Sequence, residues 1–276
     1  MTRDKATRKD AQGAIILAVI LVLCAITAIL EFIDIQYCKD EVYNRFIEKI
    51  VQQTCGAIAG ILILQRLNVR LFARPKNLLY LIPCLIIAVD NFQFSSYFNG
   101  EMQLIGTKPI SFILFFGYCI SIGLFEEVVF RGIIFSIIAG YCEKNKKGFL
   151  KTYIISSVVF GLAHLFNGFS LATILQVGYT ILTGGLFAFC LIKTKNILCC
   201  ALVHGVYNFC GLLFDKAQGL GTGVVFDLGT VITMAVISVT VGIFVLYKVW
   251  NYSEEERKEL YFCLGVTEDN TEESIN

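Results

Sequence analysis

The sequence predicts an all-α, polytopic membrane protein, and three observations predict this class. Hydrophobic residues make up 56% of the 276-residue chain, and charged residues only 16%. Apolar stretches of about 18 residues or more, long enough to cross a bilayer as a helix, recur along most of the chain. The charges lie mainly in the segments between these stretches. Because lipid offers the backbone no hydrogen bonds, such stretches are expected to be α-helices.

The apolar stretches predict a bundle of about eight transmembrane helices. The first is too long for the core of a signal peptide, so we predict a retained span. The third is short and contains Pro83, and the fourth is long enough to tilt or to project beyond the bilayer. The predicted spans are residues 13–33, 50–67, 78–91, 109–140, 150–167, 171–192, 196–214 and 224–249.

Loop charges predict the orientation of the bundle. Lysines and arginines gather at the N-terminus and in alternate loops, at residues 66–76, 144–151 and 193–195. The loops between these are poor in charge or balanced. The positive-inside rule then predicts that both termini are cytoplasmic, in the cytoplasmic membrane if the host is bacterial.

Composition divides the chain into two parts. Residues 1–252 form the predicted transmembrane domain, and its central part, about 109–215, contains Glu126, both histidines and Asn208, which are considered as site residues below. Residues 253–276 form a predicted acidic cytoplasmic tail, partly helical near the membrane.

The overall charge excludes one class of partner. The net charge is +1, and no basic face stands out beyond the short loops, so no nucleic-acid partner is predicted. The lipid bilayer is the partner that the composition does predict. The eleven cysteines lie mostly inside apolar spans without any Cys-x-x-Cys pair, so we interpret them as small apolar filling residues.

Two carboxylates and a guanidinium interrupt the fourth span: Glu126, Glu127 and Arg131. Ionisable groups inside a membrane cost roughly 2.5–3.5 kcal/mol each, so they are candidates for function. Residues four apart share a helix face, which predicts a buried ion pair between Glu127 and Arg131. Glu126 lies on the neighbouring face and stays free. We therefore predict a structural role for the pair and chemistry for Glu126.

The chain has only two histidines, and both fall in predicted spans. His164 lies in the fifth span and His204 in the seventh. Asn208 follows His204 by four residues and therefore shares its helix face, so a single bound group could contact both side chains. A lone histidine in an apolar helix is usually a packing residue. That interpretation is weaker here, because both histidines, Asn208 and Glu126 all fall within predicted spans.

Two chemistries use this set, and both would hydrolyse an amide inside a membrane. In the first, Glu126 is a general base that positions and deprotonates water together with His164, while His204 and Asn208 donate hydrogen bonds to the oxyanion. In the second, His164, His204 and Glu126 bind Zn²⁺, with water at an open position. The spacing differs from the zincin helix, so the sequence leaves the cofactor open.

Three motifs together resemble those of the CPBP intramembrane proteases, which include type II CAAX prenyl endopeptidases and bacteriocin-processing or immunity-associated Abi relatives. The resemblance covers about residues 115–215. The motifs are Glu126-Glu127-Val-Val-Phe-Arg131, Phe160-Gly-Leu-Ala-His164 and His204-Gly-Val-Tyr-Asn208.

The resemblance implies a helical bundle around an intramembrane catalytic cavity. It implies four catalytic residues and either a metalloprotease or a glutamate-dependent one. The implied substrate is a membrane-tethered protein or peptide, and in prenyl-processing relatives it is the C-terminus of a prenylated protein. The implied catalytic residues are Glu126, His164, His204 and Asn208, with Glu127, Arg131 and Phe160 supporting them.

Two other classes compete with a protease. The same fold could serve a non-catalytic membrane scaffold or a bacteriocin self-immunity protein that binds peptides in the cavity. A small-solute transporter is the third hypothesis. It predicts paired broken helices in an inverted repeat, and the sequence shows no such repeat.

Overall fold

The computed structural model describes residues 35–105 and 108–266. The predicted first span, residues 13–33, and the end of the tail, residues 267–276, lie outside the described residues. Within the described ranges every regular element is a helix, apart from one isolated bridge between Leu104 and Gly221. The predicted all-α class is confirmed.

Ten α-helices follow one another along the described ranges. A short 3₁₀ turn, Leu78–Tyr80, leads into the second of them. A π-helical segment, Val128–Ile134, joins the fourth to the fifth without a break. The helices are α1 (Glu41–Arg66), α2 (Leu81–Asp90), α3 (Phe94–Phe98), α4 (Pro109–Glu127), α5 (Phe135–Tyr141), α6 (Lys146–Ala163), α7 (Leu171–Thr194), α8 (Ile197–Leu212), α9 (Leu228–Trp250) and α10 (Glu254–Cys263).

The chain is a multi-pass membrane protein. Five helical segments are long and apolar enough to cross a bilayer: α1, α4 through α5, α6 with its last turn, α7 and α9. Leu78–Asp90 and Ile197–Leu212 are apolar but shorter. The predicted count of eight spans therefore stays a prediction.

Polar caps set where the helices begin, and they correct several predicted boundaries. The side chain of Asp40 accepts a hydrogen bond from the N–H of Tyr43, so α1 begins nine residues before the predicted span. Asn145 caps α6 in the same way, and Asp227 caps α9. A side-chain oxygen at this position satisfies an amide that has no partner inside the helix. Hydropathy alone thus places the starts of α1 and α6 too late and the start of α9 four residues too early.

The turn between α7 and α8 is two residues long. Lys195 adopts a left-handed conformation with φ of 52°, and its N–H donates to the carbonyl of Leu191. Asn196 then caps α8 by accepting from the N–H of Cys199. The short turn makes α7 and α8 neighbours that run in opposite directions. His204 is thereby placed against the second half of α7.

Glycines allow two pairs of helices to approach closely. A Cβ atom on Gly123 of α4 would lie 2.8 Å from the carbonyl oxygen of Ala201 and 2.9 Å from the nitrogen of Gly205, both in α8. A Cβ atom on Gly184 of α7 would lie 3.0 Å from the carbonyl oxygen of Ser157 in α6. Small residues of this kind let helix backbones pack in a membrane. The first contact brings the glutamates of α4 next to His204.

Helix α7 occupies the centre of the bundle and α9 its periphery. Half of the apolar window of α7 is buried, compared with 17% of that of α9. Large hydrophobic residues of α9, such as Leu228 and Ile243, are exposed. Their exposure fits a surface that faces lipid, whereas α7 lies among α6, α8 and the π-helical segment.

The first part of the acidic tail is an ordered helix that packs on the bundle. Leu260 and Tyr261 of α10 are buried. At its start, Ser253 and Glu256 form a capping box in which each side chain accepts from the other residue's N–H. The predicted domain boundary at residue 252 stays a prediction. Up to Val266, however, the tail belongs to the packed structure.

Ion pairs join α10 to the end of α7 and to the turn that follows it. Glu256 Oε1 lies 2.8 Å from Lys193 Nζ, and Glu259 Oε2 lies 2.9 Å from Lys195 Nζ. The two lysine side chains are only 4% and 3% exposed, so each ammonium depends on its carboxylate partner. Glu259 also pairs with Lys76. Helix α10 therefore compensates two buried positive charges, one on the last turn of α7 and one in the turn that follows.

We expect Glu256→Gln to lower the free energy of unfolding by about 1.5–3 kcal/mol, the range for hydrogen bonds to charged groups. The variant keeps the capping box but leaves Lys193 without a negative partner. Thermal unfolding in detergent measures the effect. Glu255→Gln is the matched control, because Glu255 is exposed and lies beside Glu256 on α10. Equal melting temperatures for the two variants would contradict the role of the pair.

The same pair predicts a loss of stability in acid. Partial burial would raise the pKa of Glu256, but hydrogen bonds from Lys193 and from the N–H of Ser253 outweigh it and hold the pKa below its ordinary value of 4.5. A lowered folded-state pKa means that the contribution is complete above about pH 4.5 and disappears as the pH falls through the folded-state value. The difference in melting temperature between wild type and Glu256→Gln should therefore shrink below that pH.

Candidate active site

Glu127 joins the two halves of the candidate site. Its side chain is fully buried; Oε1 lies 2.8 Å from Nδ1 of His204, and Oε2 lies 3.1 Å from Nε of Arg131. The predicted ion pair with Arg131 is present. The hydrogen bond to His204 was not predicted, because helix spacing within one span gives no information about a neighbouring helix. Glu127 therefore belongs to the group around the imidazole as well as to the ion pair.

Arg131 is held on several sides. Its Nη2 donates to the carbonyl of Gly184 at 2.9 Å, and the guanidinium lies 4.2 Å from the ring centre of Phe160 and 5.4 Å from that of Phe187. Cation–π contacts of this kind gain strength when the cation is removed from water. Arg131 Nη1 and Glu127 Oε2 have no hydrogen-bond partner among the described residues, so the contact between Glu127 and Arg131 is an ion pair held by charge attraction.

Arg131 sits within the π-helical segment Val128–Ile134. The apolar pattern predicted a regular α-helix through this span, and that prediction was wrong between Val128 and Ile134. A π-helix turns less per residue than an α-helix and is common at functional sites. The segment follows Glu127 directly. It therefore affects where Arg131 points without moving either glutamate.

Glu126 faces the other nitrogen of the same imidazole. Its Oε2 lies 3.8 Å from Nε2 of His204, too far for a direct hydrogen bond. The side chain is 26% exposed, while Oε2 itself is buried and has no hydrogen-bond partner within the described ranges. Because an ionised carboxylate can only accept, the contact with Glu127 assigns a proton to Nδ1 of His204. Glu127 thus contacts Nδ1 of His204, and Glu126 lies near Nε2 of the same ring.

His164 and Asn208 lie at the edge of this group. His164 begins a 3₁₀ turn after α6, and its Nδ1 lies 3.0 Å from the carbonyl oxygen of Phe160. The ring of Phe160 contacts both imidazoles, at 5.1 Å from His164 and 5.8 Å from His204. Asn208 is half-buried on α8, one turn after His204. Within the described ranges no hydrogen bond or ion pair joins His164 or Asn208 to Glu126.

The described residues bring together two of the three zinc ligands considered above, Glu126 and His204. They contain no group of three or more histidine, cysteine, aspartate or glutamate residues arranged to hold a metal ion. Nε2 of His204 is directed at Glu126, and its Nδ1 is occupied by Glu127. The three-ligand zinc site does not fit this arrangement.

Sequence reasoning missed two contributors to the site. Phe187 stacks on the ring of His204, and the carbonyl of Gly184 accepts from Arg131. Both belong to α7, which carries no motif. The pair Gly184-Gly185 does signal close helix packing, but nothing in the sequence signals which helix approaches it.

Fold and site together define a multi-pass helical membrane protein in which one buried and one partly exposed carboxylate flank a single imidazole. Residues 108–210 match the family model of the Rce1-like type II CAAX prenyl endopeptidases. The match covers the three motifs and confirms the resemblance to the CPBP proteases over this segment, which is less than half of the chain. It does not favour the scaffold or immunity alternative. No curated protein and no solved structure matches the chain.

We expect Arg131→Ala to reduce the yield of folded protein sharply. Removing one partner of a buried ion pair costs roughly 3–5 kcal/mol, because the other charge is left uncompensated. Size-exclusion profiles and melting temperature in detergent measure the loss. Arg66→Ala, at the exposed end of α1, is the control. If Arg131→Ala were as stable as that control, Glu127 would not depend on Arg131 for its burial.

Proposed function

We propose that the protein is an intramembrane endopeptidase that cleaves a peptide bond in a membrane-tethered protein or peptide. One observation carries the proposal: Glu126 and Glu127 address opposite nitrogens of His204, inside the segment that matches a prenyl endopeptidase family. A prenylated CAAX-type C-terminus is the first substrate to test, because the family description names it.

The proposed reaction begins with a water molecule beside Glu126. Glu126 accepts a proton from the water as the water oxygen bonds to the carbonyl carbon of the substrate. His164 helps to orient the water. The carbonyl oxygen becomes an oxyanion, which accepts hydrogen bonds from Nε2 of protonated His204 and from the amide of Asn208. The C–N bond then breaks, and Glu126 returns its proton to the leaving amine.

Glu127 supports this reaction by stabilising the charged form of His204. Its carboxylate accepts from Nδ1, which leaves Nε2–H directed toward Glu126 and the reacting group. A buried carboxylate on the far nitrogen of a catalytic histidine has the same role in hydrolase triads, where it orients the ring and stabilises the imidazolium. The two glutamates carry two negative charges; protonated His204 balances one of them, and Arg131 balances the other.

The proposed location in the membrane follows from the loop charges and from the exposure of Glu126. Loop charges favour cytoplasmic termini and, in a bacterium, the cytoplasmic membrane. Substrate would then reach the site from the bilayer or from its cytoplasmic face. The partly exposed side chain of Glu126 supports access to the site from outside the bundle.

We expect Glu126→Gln to remain folded, and we expect Glu126→Gln and His204→Ala each to lower kcat by about 10²–10⁴-fold, the usual contribution of general acid–base catalysis. Purified variants in liposomes, with a fluorogenic prenylated peptide and a membrane-tethered unprenylated peptide, test this. Glu101→Gln, which changes an exposed glutamate outside the site, is the control. Cleavage that survives both site substitutions would refute the proposed enzyme.

We also expect activity to persist in metal-free protein, because only two of the three predicted zinc ligands, Glu126 and His204, lie close together among the described residues. Metal content by mass spectrometry is compared with activity before and after treatment with a chelator, with a known zinc protease treated in parallel. Zinc that is bound one-to-one and lost in step with activity would instead select the metal mechanism.

A further inference from the structure

Phe187 covers one face of the imidazole of His204. The two ring centres lie 4.5 Å apart with an interplanar angle of 18°, which is a parallel stack. The side chain is 1% exposed and belongs to α7, outside every motif of the sequence. Phe160 meets the same imidazole at 80°, by its edge rather than its face. Phe187 is therefore the aromatic ring that lies parallel to His204.

The hydrogen bond from His204 to Glu127 does not by itself fix the imidazole. It holds Nδ1, while the ring plane can still tilt about that contact, and a tilt moves Nε2 on the opposite side of the ring. A parallel stack adds the missing restraint, since leaving it loses close contact over the whole ring. Together the two contacts set the direction in which Nε2 points.

Phe187 is itself firmly held. The thiol of Cys200 in α8 donates to the carbonyl of Phe187 at 3.7 Å. One turn earlier in α7, the carbonyl of Gly184 accepts from Arg131, whose guanidinium also lies over the ring of Phe187. The ring thus touches the histidine on α8 and the arginine that pairs with Glu127. A movement of Phe187 would disturb both partners of the central glutamate.

We propose that Phe187 is a positioning residue that aims Nε2 of His204 at the reacting group. The effect on catalysis rests on the proposed function. The stacking itself does not depend on it. The chain provides a matched control in Phe189, two residues later on α7 and fully buried. Phe189 packs edge-on against Tyr80 and Phe244, and within the described ranges it makes no ring contact with the imidazole of His204.

The first test measures the stacking of Phe187 on His204 by NMR and needs no substrate. Because the chain has only two histidines, histidine-selective isotope labelling gives two ring spectra, and a His164→Gln variant assigns the one from His204. A proton above an aromatic face is shielded. We expect Phe187→Met to move the ring protons of His204 downfield, and Phe189→Met to leave them in place. Equal shifts from the two variants would overturn the proposal.

A second measurement uses the unaltered protein, so it does not depend on how well a variant folds. Cross-relaxation between a Phe187 ring labelled at that position alone and the histidine rings should connect Phe187 with His204, since the ring centres lie 4.5 Å apart. The label is restricted to Phe187 because the ring of Phe160 also lies 5.8 Å from that of His204. Absence of this signal would overturn the stack even if Phe187→Met did not fold.

The third test uses catalysis. We expect Phe187→Met to lower kcat on the order of 10–100-fold with KM nearly unchanged, because a small misplacement of a reacting group has effects of this size. Phe187→Tyr keeps the ring and should restore most of kcat, and Phe189→Met should resemble wild type. Equal losses for both methionine variants would show a packing role only and overturn the proposal. If the wild-type protein cleaves neither peptide, the proposed function fails. The NMR spectra still show whether Phe187 stacks on His204.

Discussion

The buried carboxylate of Glu127 is the interaction on which the rest of the site depends. A single fully buried carboxylate in an apolar bundle would be strongly unfavourable, and here a guanidinium and an imidazole from two different segments compensate it. Each partner is in turn tied to α7, Arg131 through the carbonyl of Gly184 and His204 through the ring of Phe187. Three helical segments are therefore joined around one negative charge.

Close helix packing makes this arrangement possible. The oxygen and nitrogen that face each other between Glu127 and His204 are 2.8 Å apart, which requires α4 and α8 to approach almost backbone to backbone. Gly123 and Gly205 provide that approach, because a side chain at Gly123 would collide with the backbone of α8. Van der Waals packing of small residues thus brings charged groups together in a setting where the hydrophobic effect does not drive helix association.

Much of the architecture could be predicted from the sequence, because the bilayer imposes length and polarity on every span. The all-α class, the apolar segments from 50 to 249 and the ion pair between Glu127 and Arg131 follow from hydropathy and from spacing along one helix. The α-helical geometry assumed around Arg131 was wrong, because a π-helical segment depends on packing that the sequence does not show. The contact between Glu127 and His204 joins residues 77 apart in the chain, and no local pattern encodes it.

The roles of the two glutamates are consequently less separate than their helix faces suggest. Regular spacing assigns Glu127 to structure and Glu126 to chemistry. The structure instead places one on Nδ1 and the other near Nε2 of a single ring, so the charge of Glu127 acts on the nitrogen that faces Glu126. Glu127 thereby compensates the buried charge of Arg131 and also holds the proton of His204 on Nδ1. A substitution at Glu127 would remove both effects together, which is why Glu126, Arg131 and Phe187 are the positions at which structure and chemistry can be separated.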